Sequence, residues 1–236
     1  MNLTVIGKYG PYATPTGGAC SCYLVEGTDY KFIMDLGAGT LGKLRAKVNI
    51  EDVDFIYITH LHYDHTSDLL TLRYLLEDKK KRLKIYAPLN ETPWSKILFT
   101  HPLFDVTDTS TLNSIEVKTK GGATLKAELI PTIHPVFNLG IKISDGEKTL
   151  AYTGDTDYCD AVIKLLSGAD LAVCDCSKPT GFKSAHCTES GALKLYAQTH
   201  TPIIASHQNE DYDPAAFFAA NNPNIVSAIE GKTYHL

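Results

Sequence analysis

The sequence predicts two β-sheets packed face to face with helices on their outer sides, for three reasons. Short apolar, strand-like runs arrive in two batches, one in the first third of the chain and one in its middle. Helical patterns lie between and after these batches, where they can cover the outer faces of the sheets. No repeat, low-complexity tract or Gly/Ser linker interrupts the 236 residues, so the chain reads as one domain over 1–236, long enough to bury a substantial core.

In chain order, LTVIG (3–7), CYLVEG (22–27), KFIMDLG (31–37) and DFIYIT (54–59) read as strands. TLGKLRAK (40–47) and SDLLTLRYLLEDKKKR (67–82) have helical character, with Leu69, Leu72, Leu76 and Tyr74 as the apolar positions of the second. LKIYAP (83–88) is a strand, and TPWSKILF (92–99) a short helix with Thr92 as cap and Pro93 at its first position. After a polar loop, SIEVKT, ATLKAELIPT, LGIKIS and TLAYTGD follow at spacings that suit consecutive antiparallel strands, with DGEK (145–148) as a hairpin turn. The last third alternates: helix 157–168, strand 170–177, helix 188–200, strand 202–207 and a closing helix from Pro214.

The net charge of −5 gives no general attraction to polyanions. The one compact basic run, Lys79–Arg82, follows a helix, where cations complement the helix dipole; a solvated helix end explains it better than a nucleic-acid patch. No N-terminal apolar segment resembles a signal peptide and no stretch is long enough to span a membrane, so the chain reads as cytoplasmic with its six cysteines reduced. Cys20/Cys22 and Cys174/Cys176 sit in or beside apolar runs, and buried thiols account for them better than a metal site.

The segment ITHLHYDH (58–65) carries the chemistry. It places His60, His62, Asp64 and His65 within six positions, directly after an apolar strand. An extended His-x-His points both imidazoles the same way, and the Asp-His pair can face a second point beyond. Crowded, partly desolvated histidines repel one another when charged; divalent cations remove that cost, since neutral imidazole and carboxylate are the ligands they take. Four local groups cannot complete two coordination spheres, so more ligands are expected at other strand ends. His134 follows AELIPTI, Asp155 follows LAYTG and His207 follows PIIAS. Each alone has a duller explanation as a turn or core-edge residue; together, each just past an apolar strand, they form a set.

His-x-His-x-Asp-His, a distant His, Gly-Asp-Thr and a final Ser-His resemble the metallo-β-lactamase superfamily, nearly end to end from VIGKYG through DLGAG (35–39) to Ser206-His207. The resemblance implies an α+β fold, an αββα sandwich of two mixed sheets flanked by helices, with two divalent ions at one edge, Zn2+ first and Mn2+ or Fe as alternatives. It assigns His60, His62 and His134 to one ion, Asp64, His65 and His207 to the other, and Asp155 to both. Asp35 would orient groups near the site without binding metal.

Three features bear on the substrate. DHTSDLLTLRYLL lacks the Gly-Gly continuation of glyoxalase- and lactonase-like members and resembles the ribonuclease Z-like and small phosphodiesterase branch. SAHCTESGALKLYAQTH resembles that branch's His-x-Thr segment, making His186 a candidate general acid or phosphate contact and Thr188 a helix cap. No long basic insertion of the kind that grips tRNA follows Pro88. The resemblance thus implies a phosphodiesterase for a small nucleotide, cyclic nucleotide or short RNA, using water activated between two ions, with Asp64 orienting that water. Hydrolysis of a carboxyl ester, thioester or lactam by the same centre is the alternative. The likeness leaves a homodimer open. Loop 177–186 could close over substrate; Trp94, Phe99 and Phe104 could wall the pocket, with packing the better expectation. His101, His200 and His235 fall outside the ligand pattern.

Overall fold

The computed structural model describes residues 1–89, 92–100 and 102–236; His101 thus lies outside the described residues. Its strands are β1 (Asn2–Gly7), β2 (Cys22–Glu26), β3 (Lys31–Met34), β4 (Phe55–Tyr57), β5 (Leu83–Ala87), β6 (Phe104–Asp108), β7 (Ser114–Lys118), β8 (Thr124–Pro131), β9 (Leu139–Ser144), β10 (Thr149–Tyr152), β11 (Leu171–Asp175), β12 (Ile203–Ser206), β13 (Ile225–Ser227) and β14 (Thr233–His235). The helices are α1 (Thr40–Arg45), α2 (Tyr63–Thr66), α3 (Asp68–Lys79), α4 (Pro93–Phe99), α5 (Asp160–Leu166), α6 (Glu189–Thr199) and α7 (Ala215–Asn221). The strands form two seven-stranded mixed sheets, sheet one ordered β14-β1-β2-β3-β4-β5-β6 and sheet two ordered β13-β12-β11-β10-β9-β8-β7. β7 to β10 pair antiparallel in succession, as their spacing suggests.

Side-chain alternation builds the layers. In β2, Tyr23 and Val25 enter the core between the sheets while Cys22 and Leu24 face the outer layer. In β4, Phe55 and Tyr57 go inward and Ile56 outward; in β12, Ile204 goes inward and Ile203 and Ala205 outward. Both faces of these strands are therefore buried, which is why they read as continuous apolar runs. Outside sheet one, Leu41, Leu44, Leu69, Leu72 and Leu76 of α1 and α3 close one layer, and Val162, Leu165, Leu195 and Phe218 of α5 to α7 close the other outside sheet two. The thiols of Cys174, Cys176 and Cys187 belong to this second layer, unbonded to one another, and burial raises their pKa.

Local signals hold where a side chain satisfies a backbone group. Thr92 Oγ1 accepts from Ser95 N–H at 3.2 Å, and Thr188 Oγ1 from Gly191 N–H at 3.2 Å, capping α4 and α6. Asp145 Oδ1 accepts from Glu147 and Lys148 N–H groups and shapes the β9–β10 turn. Lys79 to Arg82 are exposed around the end of α3.

Several expectations need correction. Tyr74 is 63% exposed, with the Arg73 guanidinium over its ring: it lies about 200° around the helix from Leu72, off the buried stripe. The supposed polar loop before residue 114 contains β6, whose polar residues belong to the edge of sheet one. β13 and β14 have three residues each and no apolar repeat to announce them; both are edge strands. Phe104 is buried, and Trp94 and Phe99 pack against the outer layer beside it.

Candidate metal centre

The carboxyl ends of β4, β8, β10, β11 and β12 meet at one edge of the sandwich, and the candidate residues follow them. His60 lies just past β4; His62 caps α2, and Asp64 and His65 lie on its single turn. This turn, expected as loop, swings Asp64 and His65 around to a point beyond the first two rings. His134 follows β8, Asp155 follows β10 and His207 follows β12. Gly154 makes the approach of Asp155 feasible: its φ is 59°, and a Cβ there would stand 2.4 Å from Asn138 Oδ1.

All seven candidates converge in two groups. His60, His62, His134 and Asp155 offer ligand atoms within 4.8 Å of one another; Asp64, His65, Asp155 and His207 do the same, with Asp155 common to both. In the first group His62 Nδ1 is 3.0 Å from His60 Nε2 and 3.1 Å from His134 Nε2. Asp155 Oδ2 is 3.6 Å from His60 Nε2 and 3.9 Å from His134 Nε2. In the second, His207 Nε2 lies 3.0 Å from Asp64 Oδ2 and 3.2 Å from Asp155 Oδ2, and His65 Nε2 lies 3.1 Å from Asp155 Oδ1.

These spacings suit a cation. Tetrahedral zinc with bonds of about 2.0–2.1 Å separates its ligand atoms by about 3.3 Å. The protein alone leaves its own groups poorly satisfied: His65 Nε2, His134 Nδ1, Asp155 Oδ1 and His207 Nδ1 are buried without a well-directed hydrogen bond among the described residues. A divalent metal would answer the spacing and the bare His65 Nε2 and Asp155 Oδ1, whereas His134 and His207 turn Nε2, not the orphaned Nδ1, to the cluster.

The two groups differ in charge. Burial holds the His60 imidazole well below its usual pKa and lowers His134 to about 4. Burial opposes charge on His65 and His207 as well, but the surrounding aspartates, Asp155 foremost, outweigh it, raising His65 well above its usual value and His207 to about 9. Asp155 is likewise opposed by burial, yet His207, His65 and His60 hold it well below the usual carboxylate range.

Supporting contacts fix the rings. Asp35, fully buried, accepts from Tyr152 Oη at 2.6 Å and Thr59 N–H at 2.8 Å, and lies 2.7 Å from His65 Nδ1. It thus turns the Nε2 of His65 toward the cluster, which matches an orienting role. Asp35 and His207 both adopt left-handed backbone, φ 57° and 58°, an uncommon conformation that packing around the site maintains.

His186 stands at the mouth. Its ring stacks on His207 (centroids 5.0 Å, 13°) and its Nδ1 is 2.7 Å from Asp175 Oδ2. Burial works against its charge, but the bond to Asp175 and that residue's charge raise its pKa above the usual value. Asp175 is the residue sequence reasoning missed. Its position at the end of an apolar strand, like that of Asp155, was the available signal, masked by the cysteines on either side. Its own carboxyl is pushed up by burial, with the His186 bond opposing, and Oδ2 also accepts from Thr156 N–H at 3.0 Å.

Two sheets, helices outside and a buried His/Asp cluster at the strand ends define a metal-dependent hydrolase. Residues 31–205 match the beta-lactamase superfamily domain, and the chain belongs to that family. It is 30% identical over 229 residues to the probable metallo-hydrolase YhfI of Bacillus subtilis (strain 168), covering 89% of this chain and 90% of that one. A ribonuclease Z of Metallosphaera sedula is 27% identical, with 87% of each chain covered. The crystal structure of YhfI superposes with a TM-score of 0.87 over 99% of this chain and 98% of that one, at 23% identity. A diphosphatase from the PhnP family gives 0.77 over 100% and 97%, at 20% identity. No helix among the described residues is long and apolar enough to cross a membrane.

Proposed function

We propose that the protein is a phosphodiesterase that binds two divalent ions, zinc foremost, and acts on a small nucleotide, cyclic nucleotide or short RNA. The observation that carries this reading is the convergence of seven His and Asp side chains from four strand ends into two groups that share Asp155. His60, His62 and His134 would hold one ion, Asp64, His65 and His207 the other, and Asp155 both. When bound, such ions lower the pKa of water and stabilise charge developing on phosphoryl oxygens.

The chain's own groups supply the rest. Asp64, buried and held by burial's opponents His65 and His207 below the usual carboxylate range, would orient the attacking water. His186, whose pKa the bond to Asp175 raises against burial, would protonate the departing oxygen from Nε2, since Nδ1 is engaged. Asp175 acts through His186 as a positioning residue. The family's phosphodiester-cleaving relative, ribonuclease Z, and the diphosphatase neighbour support the phosphorus-centred reading over the ester or lactam alternative. Buried, unpaired thiols favour a reducing compartment, the cytosol.

The test is a panel of an aryl phosphodiester, an aryl ester and a β-lactam, with metal content measured on the same sample. About two equivalents of metal and fastest turnover of the phosphodiester are expected; far faster turnover of the ester or lactam would replace this function with the alternative.

A further inference from the structure

The cavity over the cluster, about 560 Å3, has a wall of different chemistry, with Tyr12, Tyr63, Lys178 and Asn209 among its lining residues beside His186 and His207. Tyr12 and Tyr63 are 58% and 67% exposed, so burial in the fold does not explain two large rings at this place. The Tyr63 ring is nonetheless held. Tyr63 directly follows His62, and its ring meets Trp94 edge-on, centroids 5.2 Å apart at 84°. The Trp94 indole N–H donates to Thr66 Oγ1 at 3.0 Å, fixing that support on the turn that carries Asp64 and His65.

Tyr12 rides on a segment pinned against the site. Gly10 N–H donates to Gln208 O at 3.1 Å and Gln208 N–H to Lys8 O at 2.8 Å. A Cβ at Gly10 would stand 2.1 Å from His207 Nε2, so the close approach requires glycine. Two further groups face the same space. Ser177 is 1% exposed and lines the cavity, and its buried hydroxyl has no partner among the described residues. Lys178 is the one Lys or Arg among the lining residues and brings an ammonium group to the rim.

We propose that this wall is a nucleoside-phosphate subsite: a nucleobase stacks on Tyr63 and Tyr12, while Lys178 and the Ser177 hydroxyl take a non-bridging oxygen of the phosphodiester. Aromatic faces bind any base through its π-surface, and an ammonium with a hydroxyl is suited to a single anionic oxygen. The cavity volume is that of a small-molecule site, enough for a mononucleotide-sized ester. The inference rests on the phosphodiesterase reading and narrows its substrate to a small, base-bearing phosphodiester.

Two esters with one leaving group separate the claims: ethyl p-nitrophenyl phosphate and thymidine 5′-(p-nitrophenyl phosphate), assayed with metal-loaded protein. The expected kcat/KM ratio favours the nucleoside ester by about 30-fold or more. Tyr63→Ala lowers that ratio about tenfold, Tyr63→Phe preserves it, and calorimetry finds thymidine 5′-monophosphate bound more weakly by the alanine variant. Lys178→Met raises KM for both esters, because both carry the phosphate. A ratio near one in the unmodified protein, or a ratio that Tyr63→Ala and Tyr12→Ala leave unchanged, overturns the subsite and leaves the phosphodiesterase standing. If neither ester is hydrolysed by metal-loaded protein, the phosphodiesterase reading falls and the subsite with it.

Discussion

Sheet one and sheet two furnish the candidate metal centre in opposite ways. Sheet one delivers a block, His60 to His65, from the end of β4 and the turn of α2. Sheet two delivers single residues, His134, Asp155, Asp175 and His207, one from the end of each of four strands. A block gives local geometry for little chain, since neighbours are positioned by one strand end. Singles depend on the register of the whole sheet, and they set the distance between the two groups. Asp155 is the hinge of the comparison, because its two oxygens reach residues on both sides.

The largest effect is therefore expected at that residue. Asp155→Ala should lose essentially all bound metal and all measurable hydrolysis, as read by elemental analysis and turnover on one preparation. Retention of one full equivalent would show that the block holds its ion without sheet two. A smaller effect separates the singles by role. Asp175→Asn and His186→Ala should both keep their metal while turnover falls about 10- to 100-fold. Loss of metal in Asp175→Asn alone would make Asp175 a ligand, an outcome open to it because Asp155, Asp175, His186 and His207 form a third convergent group. The smallest effect is structural. Thr188→Ala removes the cap of the helix that joins His186 to the His207 strand, and should cost about 1 kcal/mol. For a chain of this size that is a fall in Tm of about 2–4 °C, readable by calorimetry; no change would mean that the packing of α6 alone sets its start.

The same contrast explains what could be read from the sequence. The block is legible because six positions carry four candidate ligands, three His and one Asp, with no other use for them. The singles become legible only as a set, by the rule that each follows an apolar strand. Asp175 obeys that rule too, yet it sits between Cys174 and Cys176, whose side chains face the helices of the outer layer while the carboxylate turns toward His186. Cysteines two apart announced a core strand, and alternation then hid a site residue on the other face. His-x-His and Cys-x-Cys share a spacing; what separates them is that His60 and His62 both lie beyond the last ladder pair of their strand, whereas Cys174 lies within its ladder and Cys174 and Cys176 both face the outer layer. The sandwich itself was legible from strands buried on both faces, whereas β6, β13 and β14 escaped because short polar edges carry no periodic signal.

The pairing of β14 with β1 bears on how the chain is made. Thr4 and Thr233 share a hydrogen bond across 229 positions, and Asn2 lies opposite His235. Until β14 pairs with it, β1 would present one flank of bare amides and carbonyls, a template for any stray strand nearby. Removal of Thr233–His235 would therefore leave that flank of β1 as an open edge.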